Sequence, residues 1–194
     1  MKTSVTKGHG NMNTPKCAVM TVAIVALMSA SAVAATVSQQ AGPLVAYQDT
    51  EDIEEGYGAG LKYVVMWENV APKLACGLDI RAGWLTYDGD DNDYGMDLDV
   101  FPVELTALAG YEVFGGTRPY AGIGVGGYFF DADEDDADID DDVGFYGVLG
   151  WDQGLTEQVS VFAEAKYLWL EPDANGEDLD LGGFGANVGV AARW

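Results

Sequence analysis

Beyond residue 34 the chain contains no histidine and one cysteine, Cys76; Cys17 and the sole histidine, His9, lie upstream. One thiol cannot form an intramolecular disulfide, and a zinc centre built from cysteine and histidine is excluded with it. Long hydrophobic runs are also missing. The strongest, residues 18–28, has about half of the ~20 residues that a membrane-spanning helix needs. Positive charge is scarce, with nine Lys and Arg against 32 Asp and Glu. That balance disfavours nucleic acid as a partner, because binding to phosphates rests on basic side chains.

The first residues read as an export signal. Lys2, Lys7 and Lys16 form a positive leading region, residues 18–28 an apolar core, and Ala32-Val33-Ala34 a small-residue cleavage site, the order of a secretory signal peptide. Residues 1–34 are therefore expected to be removed, leaving residues 35–194 as one domain. The alternative, an anchor helix, conflicts with the shortness of the apolar run. Cys17 stands at the front of that run and not at its end, so the pattern is not that of a lipoprotein. Cleavage leaves six Lys and Arg against 32 acids, a net charge of −26.

What the chain has in quantity is glycine (26 residues) and period-2 alternation. In residues 57–67, Tyr57, Ala59, Leu61, Tyr63, Val65 and Trp67 share one face, and Gly58, Gly60, Lys62, Val64 and Met66 the other. Successive side chains of a strand point to opposite sides, so this is strand patterning. It recurs at residues 74–84, 101–113, 120–130, 143–151, 159–169 and 184–194, which makes seven strands. The connections alternate between short turns and acidic segments at 88–99, 131–142 and 171–180. In an up-and-down meander, alternate connections lie at the same end. The acidic run 49–55 then becomes a fourth loop at that end, and an eighth strand is required within residues 36–47 despite Pro43. An open sheet edge in lipid would leave backbone groups unpaired, so closure demands it.

Aromatics cluster near the ends of the apolar faces, among them Tyr57, Trp67, Trp84, Phe101, Tyr111, Trp151, Trp169 and Trp194. Such a double girdle marks two membrane interfaces. The fold expected is all-β: an eight-stranded antiparallel up-and-down transmembrane β-barrel. A water-soluble barrel of the lipocalin kind, with aromatics turned inward, is the competing arrangement. In the membrane arrangement the charges within strands face the lumen: Lys62, Asp79, Arg81, Glu104, Glu112, Glu164, Lys166 and Arg193. Eight strands enclose a space that side chains nearly fill, and buried charges must pair. Arg81 and Lys166 are expected to be balanced by Asp79, Glu104 and Glu164, with Gly122, Gly124 and Gly126 making room for long side chains.

The final octet, Asn187-Val188-Gly189-Val190-Ala191-Ala192-Arg193-Trp194, resembles the C-terminal assembly signal of outer-membrane barrels. Its specified positions are a polar residue (Asn187), glycine (Gly189), a hydrophobic residue (Ala192) and a terminal aromatic (Trp194). Together with the strand count, it makes residues 36–194 similar to the small outer-membrane barrel family that includes the membrane domain of outer-membrane protein A and the porin-like protein W type. The resemblance implies residence in the bacterial outer membrane among its lipids, reached with periplasmic chaperones and the barrel-assembly machinery. Enzymes among such barrels use a histidine as base or triad member. This chain has none after residue 34, and Ser160, the one well-placed strand serine, has no recognisable base, so no catalytic residues are expected.

Of the 32 acids, 25 fall in the four acidic segments, which contain no Lys or Arg. Asp131, Asp133, Asp135 and Asp142 sit at positions 1, 3, 5 and 12 of a calcium-loop spacing, but glycine is absent from position 6. Three readings stay open: loosely bound divalent cations, the solvated surface of a salt-adapted organism, or adhesion. No other cofactor is expected. The function expected is that of a non-catalytic barrel with a structural or surface role, acidic extracellular loops and a charge-plugged lumen. The alternatives are a narrow porin-like channel for small solutes and an adhesion or cation-binding surface protein.

Overall fold

The computed structural model describes residues 36–50, 54–87, 98–132, 141–174, 177–178 and 180–194. The expected signal segment lies outside the described residues, as do Asp133 and Asp135. Eight long strands form a closed antiparallel barrel: β1 (Val37–Thr50), β2 (Glu54–Ala71), β3 (Leu74–Tyr87), β4 (Leu98–Tyr111), β5 (Thr117–Ala132), β6 (Asp142–Gly154), β7 (Val159–Trp169) and β10 (Gly183–Arg193). Two short strands, β8 (Asp173–Ala174) and β9 (Glu177–Asp178), pair with each other within the connection between β7 and β10. Each long strand pairs with the next in sequence, and β10 returns to β1.

The expected eighth strand is β1, and Pro43 leaves its mark there. Pairing of β1 with β2 runs without a break from Val37↔Trp67 to Thr50↔Glu54. Pairing with β10 skips Gly42 and Pro43, resuming in the same register at Leu44↔Gly189. Proline has no N–H to donate, so it weakens a ladder on one side only. The seam is tight here: a Cβ on Gly42 would lie 1.8 Å from the Val190 carbonyl oxygen. Trp194 extends the closure past the end of β10. Its amide donates to the Gln39 carbonyl at 3.0 Å, and Gln39 N–H donates to the Trp194 carbonyl at 3.1 Å. Deleting Trp194 is therefore expected to remove both the last rung of the seam and its terminal aromatic. The amount of heat-modifiable barrel in outer-membrane fractions, compared with wild type on gels, should fall sharply; equal amounts would contradict this.

Strands extend further into the acidic segments than the alternation of apolar residues indicates. Glu54, Glu55, Asp99, Asp131 and Asp142 are strand residues. Hydrophobicity ends where the surroundings turn polar, whereas the hydrogen-bonded ladder continues as long as a partner strand is alongside. On β4, ten residues separate the outward aromatics Phe101 and Tyr111. At ~3.4 Å per residue and a tilt near 45° they span roughly 24 Å, close to the apolar band of an outer-membrane barrel.

Candidate functional site

Alternation turns one set of side chains into the lumen, and that set contains the charges. Lys62 on β2, Arg81 on β3 and Glu104 on β4 lie side by side across adjacent strands, through the pairs Lys62↔Arg81 and Arg81↔Glu104. Asp79 is two residues from Arg81 on the same inward face. From the far wall, β7 contributes Glu164 and Lys166. All six are buried.

The six side chains meet across the lumen. Arg81 binds Glu164 through two parallel bonds, Nη1 to Oε2 at 2.7 Å and Nη2 to Oε1 at 3.0 Å. Its Nε donates to Asp79 Oδ2 at 2.9 Å. This paired geometry suits the planar guanidinium and fixes its orientation. Lys62 bonds Glu164 and lies 3.4 Å from Asp79 Oδ2. Glu164 also accepts from the Tyr120 hydroxyl at 2.6 Å and from Asn187 Nδ2 at 3.3 Å. A second knot joins Lys166 Nζ to Glu104 Oε1 at 2.9 Å, with the Tyr128 hydroxyl donating to the same oxygen at 2.8 Å. Three bases and three acids make the layer neutral.

Tyrosine rings fill the space that inward glycines leave. A Cβ on Gly124 would sit 2.2 Å from Tyr146 Cζ, and one on Gly150 2.2 Å from Tyr120 Cζ. A Cβ on Gly126 would come within 3.0 Å of both Glu104 Cγ and Tyr128 Cε2. Tyr146 shares a hydrogen bond with Thr106 Oγ1 at 2.7 Å, and the Lys166 ammonium stands over its ring at 5.5 Å. Towards the acidic-loop end, Leu85, Leu98, Leu168, Leu170 and Leu181 pack with Tyr87, Tyr128 and Tyr146. Beside Arg81, Glu104, Lys166 and Asn187 is a void of about 30 Å³, room for about one water.

The opposite face is the reverse of a water-soluble protein. Asp79 is 0% exposed while Leu61 is 66% and Ile123 75% exposed. Exposed aliphatic side chains around a buried ionic layer fit lipid outside the wall, and they exclude the lipocalin-like arrangement.

The chain belongs to the outer membrane protein beta-barrel domain family. The family model matches residues 18–191. The barrel is accordingly a protein of the bacterial outer membrane. Among solved structures it is similar to the outer membrane protein OprG from Pseudomonas aeruginosa, at TM-score 0.61 and 17% identity over 82% of this chain and 96% of that one. Ail, the attachment invasion locus protein of Yersinia pestis, superposes at TM-score 0.54 and 12% identity over 81% and 97%. Neisserial surface protein A follows at 0.52 and 14% over 81% and 95%. No curated protein sequence matches the chain. At these identities the likeness is one of fold.

Within this family frame, six of the eight lumen charges read from the sequence meet in the central layer. Two do not. Glu112 lies past the end of β4 and is exposed, its amide donating to the Lys73 carbonyl at 2.8 Å. The inward parity of the strand stops at the turn, so this carboxylate is in water and not in the lumen network. Arg193 points inward but at the turn end, where Nη2 stands 3.7 Å from Asp152 Oδ1. A second pair closes the same end: Arg118 Nη2 bonds both carboxylate oxygens of Glu68, at 2.9 and 3.0 Å.

Sequence reading missed Asp152, Glu68 and Arg118 because it ended β6 at Trp151 and β2 at Trp67 and began β5 at Tyr120. Carrying each alternation a residue or two further would have found them. Of the assembly-signal residues, Asn187 and Gly189 face inward, while Ala192 and Trp194 are exposed. Asn187 donates to Glu164. Asp131 is exposed at the end of β5 and Asp142 begins β6. Among the described residues no group of three or more His, Cys, Asp or Glu could hold a metal ion. Ser160 is fully buried and 3.4 Å from Gln40 Oε1.

Proposed function

We propose that this protein is a non-catalytic barrel that occupies the outer membrane, holds its lumen shut with the ionic layer, and presents its acidic loops outside the cell. The observation that carries this reading is the neutral layer of Lys62, Arg81, Lys166, Asp79, Glu104 and Glu164, bonded from wall to wall. Each charge already has partners, so a solute ion entering would have to displace one of them in a region poor in water. Planar bilayers reconstituted with the purified barrel are expected to show no reproducible unitary openings. Steady openings that Gly124→Trp abolishes would instead establish the narrow channel.

The orientation rests on the partition of connections. All acidic segments join strands at one end, while both ends of the barrel chain lie with the short turns at the other. Epitopes inserted in residues 88–97 should be labelled on intact cells, and epitopes in the turn at 112–116 only after permeabilisation. The converse would reverse the orientation.

Loosely held divalent cations belong to the same proposal. Two cross-strand pairs at the loop end set acid against acid, Asp49↔Glu55 and Asp99↔Asp131, an arrangement that is destabilising without counter-charge. Calcium is expected to bind with affinity of roughly 10⁻⁴–10⁻³ M and to lose most of that binding in high salt. Isothermal titration at low and high salt measures both. One stoichiometric, micromolar, salt-resistant site would overturn collective binding in favour of a dedicated calcium loop, and no heat at low salt would remove the cations altogether.

A further inference from the structure

Backbone hydrogen bonds run right round the turn end of the barrel. Glu68 N–H donates to the Thr36 carbonyl at 2.8 Å, Glu112 N–H to that of Lys73 at 2.8 Å, Gly154 N–H to that of Gly116 at 3.1 Å and Arg193 N–H to that of Gln158 at 2.9 Å. With the Gln39–Trp194 pair and the three turns, these bonds make a closed belt. The turns are themselves held. Gly115 and Gly116, at φ +70° and +76°, follow Phe114 in a tight hairpin turn, and Thr117 N–H donates to the Phe114 carbonyl at 3.4 Å. Leu155 and Thr156 both donate to the Val159 carbonyl, at 2.9 and 3.1 Å.

Every corner of this belt presents an apolar side chain to the surroundings: Val70 at 57% exposure, Phe114 at 93%, Leu155 at 60%, and Trp194 at 62% beside the start of β1. Single exposed apolar residues are ordinary on a protein surface. One on each corner of a rigid ring is not.

We infer that these four tips seat the barrel in the headgroup layer of the leaflet at its turn end. Continuity with the lipid-facing wall is the first ground. Phe114 follows the exposed Tyr111 and Val113, and Leu155 follows the exposed Trp151, so the tips prolong the surface that meets lipid. Depth is the second. At ~3.4 Å per residue and a tilt near 45°, Phe114 stands at most about 7 Å beyond Tyr111, while the headgroup layer is roughly 5–7 Å thick on each side of the hydrocarbon. The tips therefore end within that layer. Charge does not oppose the contact, since Glu68–Arg118 and Asp152–Arg193 are paired, leaving Lys73, Glu112 and Glu157 as the exposed charges of the turns. The belt holds the tips in place beforehand, so little conformational freedom is lost when headgroups cover them. Anchors on four sides resist tilting in every direction.

The test uses the full barrel in phosphatidylcholine vesicles, with a nitroxide spin label on Val70→Cys, Phe114→Cys or Leu155→Cys in a Cys76→Ser background. Asp141→Cys, at an exposed position of the loop end, gives the comparison. Collision with a water-soluble nickel chelate is expected to be at least threefold lower at the three tips than at Asp141→Cys, while collision with oxygen, which partitions into lipid, stays high. Tips as open to the chelate as Asp141→Cys would overturn the proposal. Protection from both reagents would show contact with a second copy, and protection only after addition of a periplasmic extract would show a soluble partner; either result overturns it. Because the label is itself apolar, the unlabelled double variant Phe114→Asp, Leu155→Asp provides a second measurement. The belt is made by backbone groups, so its heat-dependent gel shift should match wild type, while its insertion into the vesicles on dilution from urea should be at least threefold slower. Insertion at the wild-type rate would also overturn the proposal.

Discussion

Arg81→Ala is expected to lower the unfolding free energy of the barrel by about 3–5 kcal/mol, the range for removing one partner from a buried ion pair. Arg81 holds Asp79 and Glu164 together with directed bonds from three nitrogens. Without it the layer holds three acids against two bases, and Lys62, which already pairs with both Asp79 and Glu164, is the one cation left on them. Arg81→Lys keeps the charge but loses the paired bonds to Glu164, so an intermediate loss is expected. The double variant Arg81→Met, Glu164→Gln leaves a neutral layer and should recover part of the difference. Urea titration in detergent micelles, followed by tryptophan fluorescence, gives all three values. A change below about 0.5 kcal/mol for Arg81→Ala, the range of an ordinary surface substitution, would mean that the layer is hydrated and not closed.

Gly124→Leu should be clearly damaging, at a cost of about 1–3 kcal/mol or more for overpacking. Its Cβ alone would overlap the Tyr146 ring, at 2.2 Å from Cζ and 2.5 Å from the hydroxyl oxygen. That ring has little freedom to swing away, being fully buried and tied to Thr106. Gly147→Ala on the neighbouring strand provides the control. It faces lipid into open space, and a change within about 0.5 kcal/mol is expected. If both substitutions cost the same, the inward and outward faces differ less in packing than their contacts indicate.

The two predictions share a cause that was partly legible before any fold was known. Lys62, Asp79 and Arg81 fall on the glycine-bearing face of two successive strands, opposite Leu61, Leu78 and Ile80. Period 2 alone separates these sets, so charge inside and aliphatic outside follows once the aromatic ends point to lipid. Parity likewise demanded β1, where Pro43 obscures the local pattern. The extent of each strand was less legible. Asp152, Glu68 and Arg118 lie at the turn end, where side-chain polarity no longer distinguishes strand from turn, and only the hydrogen-bonded partner strand shows that the ladder continues.

The sequence by itself determined the number of barrel strands and, within them, the face on which a side chain lies, because both depend only on order and alternation along one chain; it read eight lumen charges, and the structure keeps six of them in the central layer. Which charges meet was decided by the tertiary structure. Glu164 joins Arg81 across the lumen rather than along the wall, and Lys166 goes to Glu104, because strand tilt and register set the height at which opposite walls face each other. The same register puts Asn187 of the assembly-signal octet beside Glu164 and sets Gly147 among Ile123, Leu149 and Tyr167. No local pattern encodes such juxtapositions: those within the wall follow from the register of neighbouring strands, and those across the lumen join distant strands brought together only when β10 closes on β1.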